Sequence, residues 1–449
     1  MLTPTFEPVA AAAYRQPGGP WSGPSLDERL TAVAPAAVVE AVARVAGGLR
    51  AAGVCAGDTV AWQSPNRDEV ALLYRACWRL GAIAAPVHHH AGATETRRML
   101  ATLAPRVVVD LAALPTGTPV TEPWSAPEQL AAVLWTSGSS GNPKGVLHSQ
   151  ATLAYKASGQ AHTHGLRPDD CVLMPAPCAH ISGLLNGITL AGVVPFRSVF
   201  MARWDPEQAL DLVESEHVTY MVGPPTFFVG LMEARGFSTE RVASLRLISS
   251  GGAGVSAAFV EEATTRLCAR VKRTYGSTEA PSIVTDGEPL GAVELRVDAG
   301  GELQVRGPEV CLGYVDAEQT AAAFTVDGWY RTGDLASLDP VEILGRRDDL
   351  INRGGEKVSA AEVEAALEAH PAIRHAVVLP YPDRTMGERI AAVVVADGAF
   401  DVESARAWFA ERGVARYKAP EHVVVVDALP MLETGKPDRA ELRRTVVPR

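Results

Sequence analysis

Apolar residues recur along the first half of the chain in two alternating patterns. Residues 37–53 and 67–82 carry them at helical spacing, and each segment reaches a glycine at or near its end. The short apolar runs DTVAWQS, RVVVDLA and AAVLWTS predict strands between and after these helices. Helices that alternate with short apolar strands are typical of a parallel sheet covered by helices, so the pattern predicts an α/β fold.

The same alternation continues towards the middle of the chain. Helices are predicted in DPEQALDLVESEH and VSAAFVEEATTRL, where Ser256 is a candidate N-cap for the second. Strands are predicted in VTYMVGPP, LRLISSGG and RVKRTYGSTE. From Gly287 to Gly313 the spacing changes towards alternating strands, and AVELRVDAGGELQVRG predicts a hairpin that turns at AGGE.

The last hundred residues have a different character. Two short strands are predicted around a turn at Gly354 and Gly355. A capping box of Ser359 and Glu362 then begins a helix that Pro371 must end. Three further apolar strands and one helix follow, so this part of the chain is predicted to be a small α+β domain.

Charge and cysteine content narrow the class of partner. The chain has 449 residues and a net charge of −11, which argues against nucleic acid and anionic membranes as partners but not against a small anion in a local basic pocket. Its six scattered cysteines form no C-x-x-C pair, so a zinc site is disfavoured and reduced thiols in the cytoplasm are expected. No signal peptide is expected. Residues 171–196 lack Asp, Glu, Lys and Arg, but their prolines and polar groups favour buried core beside a pocket over a membrane span.

The stretch TSGSSGNPKG, residues 136–145, is the strongest local signal for a binding site. Glycines and hydroxyl side chains after a strand can turn backbone N–H groups towards an anion, and Lys144 adds a positive charge. The stretch is not a Walker A loop, because Pro143 precedes the lysine and Gly145 follows it. The next residues, GVLHSQ, predict a strand rather than a helix. The residues therefore favour a polyphosphate loop, with a flexible surface linker as the alternative.

This stretch resembles the phosphate loop of the adenylate-forming superfamily, which includes acyl-CoA synthetases, adenylation domains and firefly luciferase. Further similar motifs follow in the order of that superfamily: PAPCAHISG, SSGGAG, YGSTEA, GWYRTGD, GRRDDLINRGGEKVSAAEVE and LETGKPDRAELRR. The resemblance implies a large N-terminal AMP-binding domain, residues 1–348, with parallel-type sheets flanked by helices and a small barrel-like part. It also implies a small mobile α+β C-terminal domain, residues 349–449. The implied reaction is attack of a carboxylate on the α-phosphate of ATP with Mg²⁺, after which a thiol displaces AMP.

The resemblance also implies how ATP is held. Tyr275 would lie against the adenine, which Gly251, Gly252 and Ala253 would line. Asp334 would accept hydrogen bonds from the ribose, Arg346 would approach the ribose or phosphate, and Glu279 would bind Mg²⁺. The full set of implied ATP- or AMP-binding residues is Thr136, Ser137, Gly138, Ser139, Ser140, Gly141, Lys144, Gly251, Gly252, Ala253, Tyr275, Gly276, Ser277, Thr278, Asp334 and Arg346.

Three implied catalytic residues come from different motifs. Lys436 would bridge the substrate carboxylate and the α-phosphate, Thr278 would lie near the α-phosphate, and His180 matches the residue that gates the acyl pocket. Asp349 resembles the hinge about which the small domain rotates, which would bring Gly354 and Gly355 to the pantetheine arm of coenzyme A. Taken singly, each of these residues also fits a structural role: a solvated lysine, a core histidine or a hairpin turn.

The acid and the thiol are predicted less directly. Residues 175–192 contain no carboxylate to pair with an α-amino group, which favours an apolar, medium-chain or cyclic carboxylic acid. Coenzyme A is preferred as the acceptor. The alternatives are a stand-alone adenylation enzyme that loads a carrier protein, a non-catalytic nucleotide-binding homologue and a luciferase-like oxygenase. No nucleic-acid partner and no integral membrane segment are expected, and analogy with relatives favours a homodimer.

Overall fold

The computed structural model describes residues 23–136, 143–353, 356–432 and 435–445. Within them the helices are α1 (Leu26–Val33), α2 (Ala36–Ala51), α3 (Asp68–Arg79), α4 (Ala93–Leu103), α5 (Gln150–His164), α6 (Ile181–Leu184), α7 (Pro206–Ser215), α8 (Pro225–Glu233), α9 (Ala257–Arg266), α10 (Ala317–Ala323), α11 (Ala360–Glu368), α12 (Val402–Glu411) and α13 (Arg439–Thr445).

The strands of the first two sheets lie before residue 290. They are β1 (Thr59–Gln63), β2 (Ile83–Val87), β3 (Val107–Val109), β4 (Leu130–Thr136), β5 (Lys144–Ser149), β6 (Cys171–Met174), β7 (Arg197–Phe200), β8 (Tyr220–Gly223), β9 (Leu247–Gly251), β10 (Val271–Tyr275), β11 (Val284–Thr285) and β12 (Glu288–Pro289). The remaining strands are β13 (Glu294–Val297), β14 (Glu302–Arg306), β15 (Tyr330–Leu338), β16 (Val341–Arg346), β17 (Leu350–Arg353), β18 (Glu356–Ser359), β19 (Ile373–Asp383), β20 (Gly387–Ala396) and β21 (His422–Val425).

Two mostly parallel sheets confirm the predicted α/β architecture. The first has the order β3-β1-β2-β4-β5 and the second β12-β11-β10-β9-β8-β6-β7. In the first sheet only β5 runs antiparallel to its neighbour, as expected for a strand that returns directly after the glycine-rich stretch. The helices cover the sheets because their apolar faces pack on the strands. For example, Trp62 of β1 and Trp78 of α3 are buried in the same core.

The third sheet is antiparallel, with the order β13-β14-β15-β16, and corresponds to the predicted barrel-like part. Its first hairpin pairs Glu294 with Arg306, which confirms the hairpin predicted at AGGE. The fourth sheet has the order β18-β17-β20-β19, with β21 beside β20. It begins at Leu350, directly after Asp349, although the domain boundary itself remains a prediction.

The predicted helix caps are found in most of their details. The Ser256 hydroxyl accepts the Phe259 N–H at 3.2 Å, and the Ser359 hydroxyl accepts the Glu362 N–H at 3.3 Å. The predicted capping box is incomplete, however, because the carboxylate of Glu362 pairs with Lys418 instead of returning to the cap. A long-range ion pair has therefore replaced one local hydrogen bond.

Most of residues 171–196 are buried, as predicted, although Pro195 is exposed. They form β6, the short helix α6 and a π-helical turn over Leu185–Thr189, all of it in the interior beside a cavity. Among the described helices, none combines the length and the apolar character that a membrane crossing needs.

Candidate active site

Neighbouring strands β9 and β10 end together at one edge of the second sheet. They are parallel, and Gly251 at the end of β9 is the partner of Thr274 in β10. A Cβ on Gly251 would lie 2.3 Å from the Thr274 carbonyl oxygen, so only glycine fits there. Gly252 follows with φ of +76°, a left-handed conformation that glycine adopts without strain. This edge, at the carboxyl ends of parallel strands, is where open α/β sheets bind ligands.

A carboxylate joins this edge to the third sheet. The Tyr275 hydroxyl donates to Oδ2 of Asp334 at 2.5 Å, and Nε of Arg346 donates to Oδ1 at 3.0 Å. Asp334 and Arg346 face each other across β15 and β16, so the register of that hairpin creates the pair. Burial, followed by the charge of Asp334, raises the pKa of Tyr275 well above its usual value, which keeps the phenol protonated as a donor. A carboxylate has about four lone-pair sites, so Asp334 can still accept from ribose hydroxyls.

Lys436 is brought to the same edge by the pairing of residues 431–432 with residues 436–437. The Leu432 N–H donates to the Lys436 carbonyl at 2.7 Å, and Met431 bridges to Pro437. The Thr226 hydroxyl, at the start of α8, donates to the Gly435 carbonyl at 2.7 Å and docks this segment. As a result the Lys436 Cε lies 3.5 Å, and its Nζ 3.9 Å, from where a Cβ on Gly252 would stand.

The surroundings of Lys436 change its acidity. The Lys436 side chain is exposed to solvent, yet the protein around it removes enough hydration to lower its pKa. The charge of Arg346 lowers the pKa further, whereas Asp334 opposes the shift. The three charged groups are therefore close enough to act on one another.

Thr136 and Lys144 lie opposite each other at the ends of β4 and β5. They flank the predicted phosphate-loop residues Ser137, Gly138, Ser139, Ser140 and Gly141, which lie outside the described residues. The Lys144 ammonium stands 5.5 Å from the centre of the Tyr314 ring, within range of a cation–π interaction. The Tyr314 hydroxyl in turn donates to Oε1 of Glu279 at 2.8 Å. These two contacts connect Lys144 of the predicted phosphate loop with Glu279, the predicted metal ligand.

Glu279 fits the role of a Mg²⁺ ligand. It is 7% exposed, and among the described residues no partner takes its second carboxylate oxygen. The described part of the chain contains no group of three or more His, Cys, Asp or Glu able to hold a metal ion. Mg²⁺ is usually held by one or two carboxylates together with substrate phosphates and waters, so a single carboxylate beside the predicted phosphate loop is sufficient.

The rest of the YGSTEA loop is held by close backbone packing and by hydrogen bonds with Ser277 and His148. A Cβ on Gly276 would lie 2.1 Å from the Ser282 nitrogen, and the Ser277 hydroxyl accepts the Ala280 N–H at 3.2 Å. The Thr278 carbonyl is hydrogen-bonded to Nε2 of His148 at 2.8 Å. These contacts fix the loop, while the contact of Thr278 with an α-phosphate remains a prediction. Ala253 lies exposed beyond Gly252.

His180 stands at the N-terminus of α6 beside a second histidine. Its ring centre is 4.9 Å from that of His88. Burial, with the charges of Lys436 and His89 in addition, lowers the pKa of His180 to about 4, so the ring is neutral at pH 7. The charge of Lys436 acts on this ring, which brings the predicted gating and bridging residues together.

The site includes residues that sequence reasoning missed. Tyr314 and Thr226 belong to no motif singled out in the sequence, so no signal pointed to them. His88 and His89 could have been noticed, because His88, His89 and His90 are consecutive in the sequence. Asp349 lies between β16 and β17, while Gly354 and Gly355 lie outside the described residues.

Comparison with known proteins decides the family. A family model described as AMP-binding enzyme matches residues 36–121 and 110–315, which together span more than half of the chain. The chain belongs to the AMP-binding enzyme family. A second model, AMP-binding enzyme C-terminal domain, matches residues 362–436 of this AMP-binding enzyme. The membership predicted from the ordered motifs is confirmed.

Curated relatives are similar over nearly the whole AMP-binding enzyme. The medium-chain fatty-acid–CoA ligase of Escherichia coli K12 is 30% identical, over 100% of this chain and 95% of that protein. The feruloyl-CoA synthase of an Amycolatopsis species is 32% identical, over 92% of this chain and 94% of that protein.

Solved structures confirm the fold. The crystal structure of ATP-bound MatB from Rhodopseudomonas palustris has a TM-score of 0.85 at 27% identity, covering 94% of this chain and 98% of that one. The o-succinylbenzoate CoA synthetase (MenE) of Bacillus subtilis, in complex with its acyl-adenylate intermediate, has a TM-score of 0.82 at 26% identity, with the same coverage.

Proposed function

We propose that this AMP-binding enzyme joins an apolar, medium-chain or cyclic carboxylic acid to coenzyme A through an acyl-adenylate, with release of pyrophosphate and AMP. The observation that carries the proposal is the position of Lys436 beside Gly252, next to Asp334 and Arg346. Lys436 belongs to the last motif of the chain, yet it lies at the edge of the second sheet where a nucleotide is expected to bind. The packing of the fold does not require a lysine there. Lys436 is suited to a reaction in which two anions must meet.

The groups at this edge divide the work of the first step. The Lys436 ammonium offsets the repulsion between the acid carboxylate and the α-phosphate as they approach, which stabilises the negative charge that develops there. Asp334 accepts the ribose hydroxyls and so fixes the nucleotide relative to Lys436. Tyr275 holds that carboxylate in place and offers its ring to the adenine. Glu279 would hold Mg²⁺, which supplies charge neutralisation at the phosphates.

The walls of a cavity beside Lys436 support an apolar acid. The cavity has a volume of ≈ 340 Å³ and lies between the start of α8 and the segment that carries Lys436. Its lining is largely apolar: Pro175, Pro177, Ala202, Trp204, Phe227, Met431 and Leu432, with Thr226 and Gly435, and with His89 and Arg203 as basic members. Relatives of this chain are named medium-chain fatty-acid–CoA ligase, feruloyl-CoA synthase and indoleacetate–CoA ligase. These names agree with an acid that has an apolar chain or ring.

Coenzyme A is proposed as the thiol because the relatives that cover nearly all of this chain are named as CoA ligases or synthases. In this proposal the small domain rotates about Asp349 after the adenylate forms, and Gly354 and Gly355 then approach the pantetheine arm. A cytoplasmic location and a homodimer accompany the proposal as predictions.

Pyrophosphate release from a panel of carboxylic acids, measured with ATP and Mg²⁺ and with or without free coenzyme A, tests the proposal. We expect turnover that depends on both an apolar acid and coenzyme A, with the thioester identified by mass. The Lys436→Ala variant is the control for pyrophosphate from contaminating enzymes. Adenylation without thioester formation on free coenzyme A would favour transfer to a carrier protein, and absence of pyrophosphate release with every acid would favour a non-catalytic nucleotide-binding protein.

A further inference from the structure

Four histidine rings form one cluster, of which His89 lines the acid cavity, and the reaction proposed above uses only His180. The ring centres of His88 and His89 are 4.7 Å apart, those of His89 and His90 are 4.0 Å apart, and His88 lies 4.9 Å from His180. Three come from the end of β2 and the turn after it, and His180 from the start of α6. Two distant segments therefore converge at the part of the cavity wall to which His89 belongs.

His88 has a defined tautomer and an unused donor. The His90 N–H donates to Nδ1 of His88 at 3.2 Å, so the proton of the neutral ring is on Nε2. Burial, and the adjacent His180 and His90, lower the pKa of His88 to about 4, which keeps the ring neutral at pH 7. Within the part of the chain that the structure describes, the buried Nε2 of His88 has no hydrogen-bond partner. A buried donor without a partner is costly unless a ligand supplies the acceptor.

Arg203 gives the same end of the cavity a positive charge. It lines the cavity together with His89, and its charge contributes, after burial, His88 and His90, to the lowered pKa of His89. Among the described residues no carboxylate pairs with Arg203, although its side chain is exposed and many other surface arginines of the chain are paired. Trp204 and Phe227 stack with ring centres 4.4 Å apart and form an apolar wall beside this basic end.

A metal site is the other chemistry that clustered histidines bring to mind. It is not favoured, because no group of three or more His, Cys, Asp or Glu in the described residues is arranged to hold a metal ion. The stacked rings of His88 and His89 also place their faces, rather than their nitrogen atoms, against each other. Hydrogen bonding to an organic acceptor is the use that these rings allow.

We propose that His88, His89 and Arg203 bind a second carboxylate on the acid substrate, so that the preferred acid is a dicarboxylic acid with an apolar body. One carboxylate would be activated at Lys436, the body would lie along the Trp204 and Phe227 wall, and the distal carboxylate would accept from the imidazole N–H groups and the guanidinium. A guanidinium recognises a carboxylate through two parallel hydrogen bonds, which suits Arg203 to this task. The inference rests on the proposed function and narrows its substrate class.

Matched pairs of acids test the inference. Pyrophosphate release is measured for octanoate and octanedioate, and for 3-phenylpropanoate and its para-carboxy analogue, with wild type, Arg203→Gln, His88→Phe and Arg50→Gln. Wild type is expected to prefer the diacid in at least one pair. Arg203→Gln and His88→Phe should lower the diacid-to-monoacid ratio of kcat/KM about tenfold or more, because each removes a hydrogen bond that only the second carboxylate can use. Arg50→Gln, an exposed arginine of α2, should leave the ratio unchanged.

The outcomes separate this inference from the proposed function. The inference is overturned if the enzyme prefers monoacids to their diacids and Arg203→Gln leaves the diacid-to-monoacid ratio of kcat/KM unchanged. That result leaves the ligase proposal intact. A raised KM for coenzyme A in Arg203→Gln without a change in the ratio would also overturn it and would assign the basic end to the thiol substrate. If no acid of either kind releases pyrophosphate, the ligase proposal fails and this inference fails with it. Calorimetric binding of the diacids to wild type and Arg203→Gln provides a readout independent of turnover.

Discussion

The side chain of Lys436 lies against the backbone of Gly252, with its Cε 3.5 Å from the position of a Cβ on that glycine. One residue belongs to the last motif of the chain and the other to the loop after β9. The left-handed φ of Gly252 and its lack of a side chain leave room for the lysine stem. The contact places the ammonium where the proposed first step needs it.

Replacement of Lys436 by alanine should separate the two half-reactions. We expect ATP–pyrophosphate exchange to fall about 100- to 1000-fold, in the range measured when a single transition-state donor is removed. Thioester formation from a supplied acyl-adenylate should be largely retained, because that step no longer requires the two anions to meet. Arg443→Ala, on the exposed face of α13, is the matched control. Normal exchange in Lys436→Ala would remove the lysine from the mechanism.

The pH profile should report the lowered pKa of Lys436. Partial loss of hydration, with the charge of Arg346 in addition, lowers this pKa below the usual lysine value. Only the ammonium form offsets the charges of the two anions, so exchange should decline as the pH rises through the lowered pKa and should be retained below it. In Lys436→Arg the guanidinium stays charged, and the decline should move to higher pH in whatever activity remains. Identical alkaline limbs in the two proteins would contradict the assignment.

Local signals in the sequence were sufficient for much of the fold. Glycines and apolar spacing indicate α2, α3 and the strands β1, β3, β4, β5, β8, β9 and β10, whereas β2, β6 and β7 are not predicted as strands. The capping box predicted for Ser359 and Glu362 forms only in part, because the Glu362 carboxylate pairs with Lys418, 56 positions further along the chain. A local pattern carries no information about such a distant competitor.

The site residues that belong to motifs could be predicted. The residues that only contact and position those motif residues could not. Asp334, Arg346, Tyr275 and Lys436 were assigned from ordered motifs, and the structure brings them together. Tyr314 reaches Glu279 only because the loop after β14 folds against β5, a tertiary contact that leaves no pattern in the sequence. The histidines after β2 were visible as a run, but their meeting with His180 depends on how two distant segments pack.

Replacement of Asp334 by asparagine should weaken nucleotide binding. The variant keeps the size of the side chain but loses the charged carboxylate, which accepts hydrogen bonds from Tyr275 and Arg346 and, in our proposal, from the ribose. We expect the KM for ATP to rise about tenfold or more, since hydrogen bonds to charged groups contribute about 1.5–3 kcal/mol each. Asp327→Asn removes a carboxylate from a solvent-exposed pair with Arg296 and should leave the KM unchanged. Equal KM values for the two variants would place the ribose elsewhere.

Replacement of Glu279 by glutamine should raise the requirement for Mg²⁺. The amide oxygen can still accept from the Tyr314 hydroxyl, so the loop should keep its shape, but a neutral oxygen is a poorer ligand for a hard cation. We expect the Mg²⁺ concentration for half-maximal pyrophosphate exchange to rise about tenfold or more, as for other changes to metal sites. Glu288→Gln, on the exposed strand β12, is the control. An unchanged Mg²⁺ dependence in Glu279→Gln would assign the metal to another ligand.

Replacement of Asp349 by proline should hold the enzyme in its adenylating arrangement. Asp349 lies between the last strand of the third sheet and the first strand of the fourth, and domain rotations are absorbed by changes of φ and ψ at a few such residues. Proline fixes φ at about −65° and so opposes that change. We expect pyrophosphate exchange to persist, which also reports that the variant is folded, while thioester formation falls about tenfold or more because it depends on the rotation. Asp349→Ala removes the same carboxylate without restricting the backbone and should retain both activities; if Asp349→Pro forms thioester at the wild-type rate, the hinge lies at another residue.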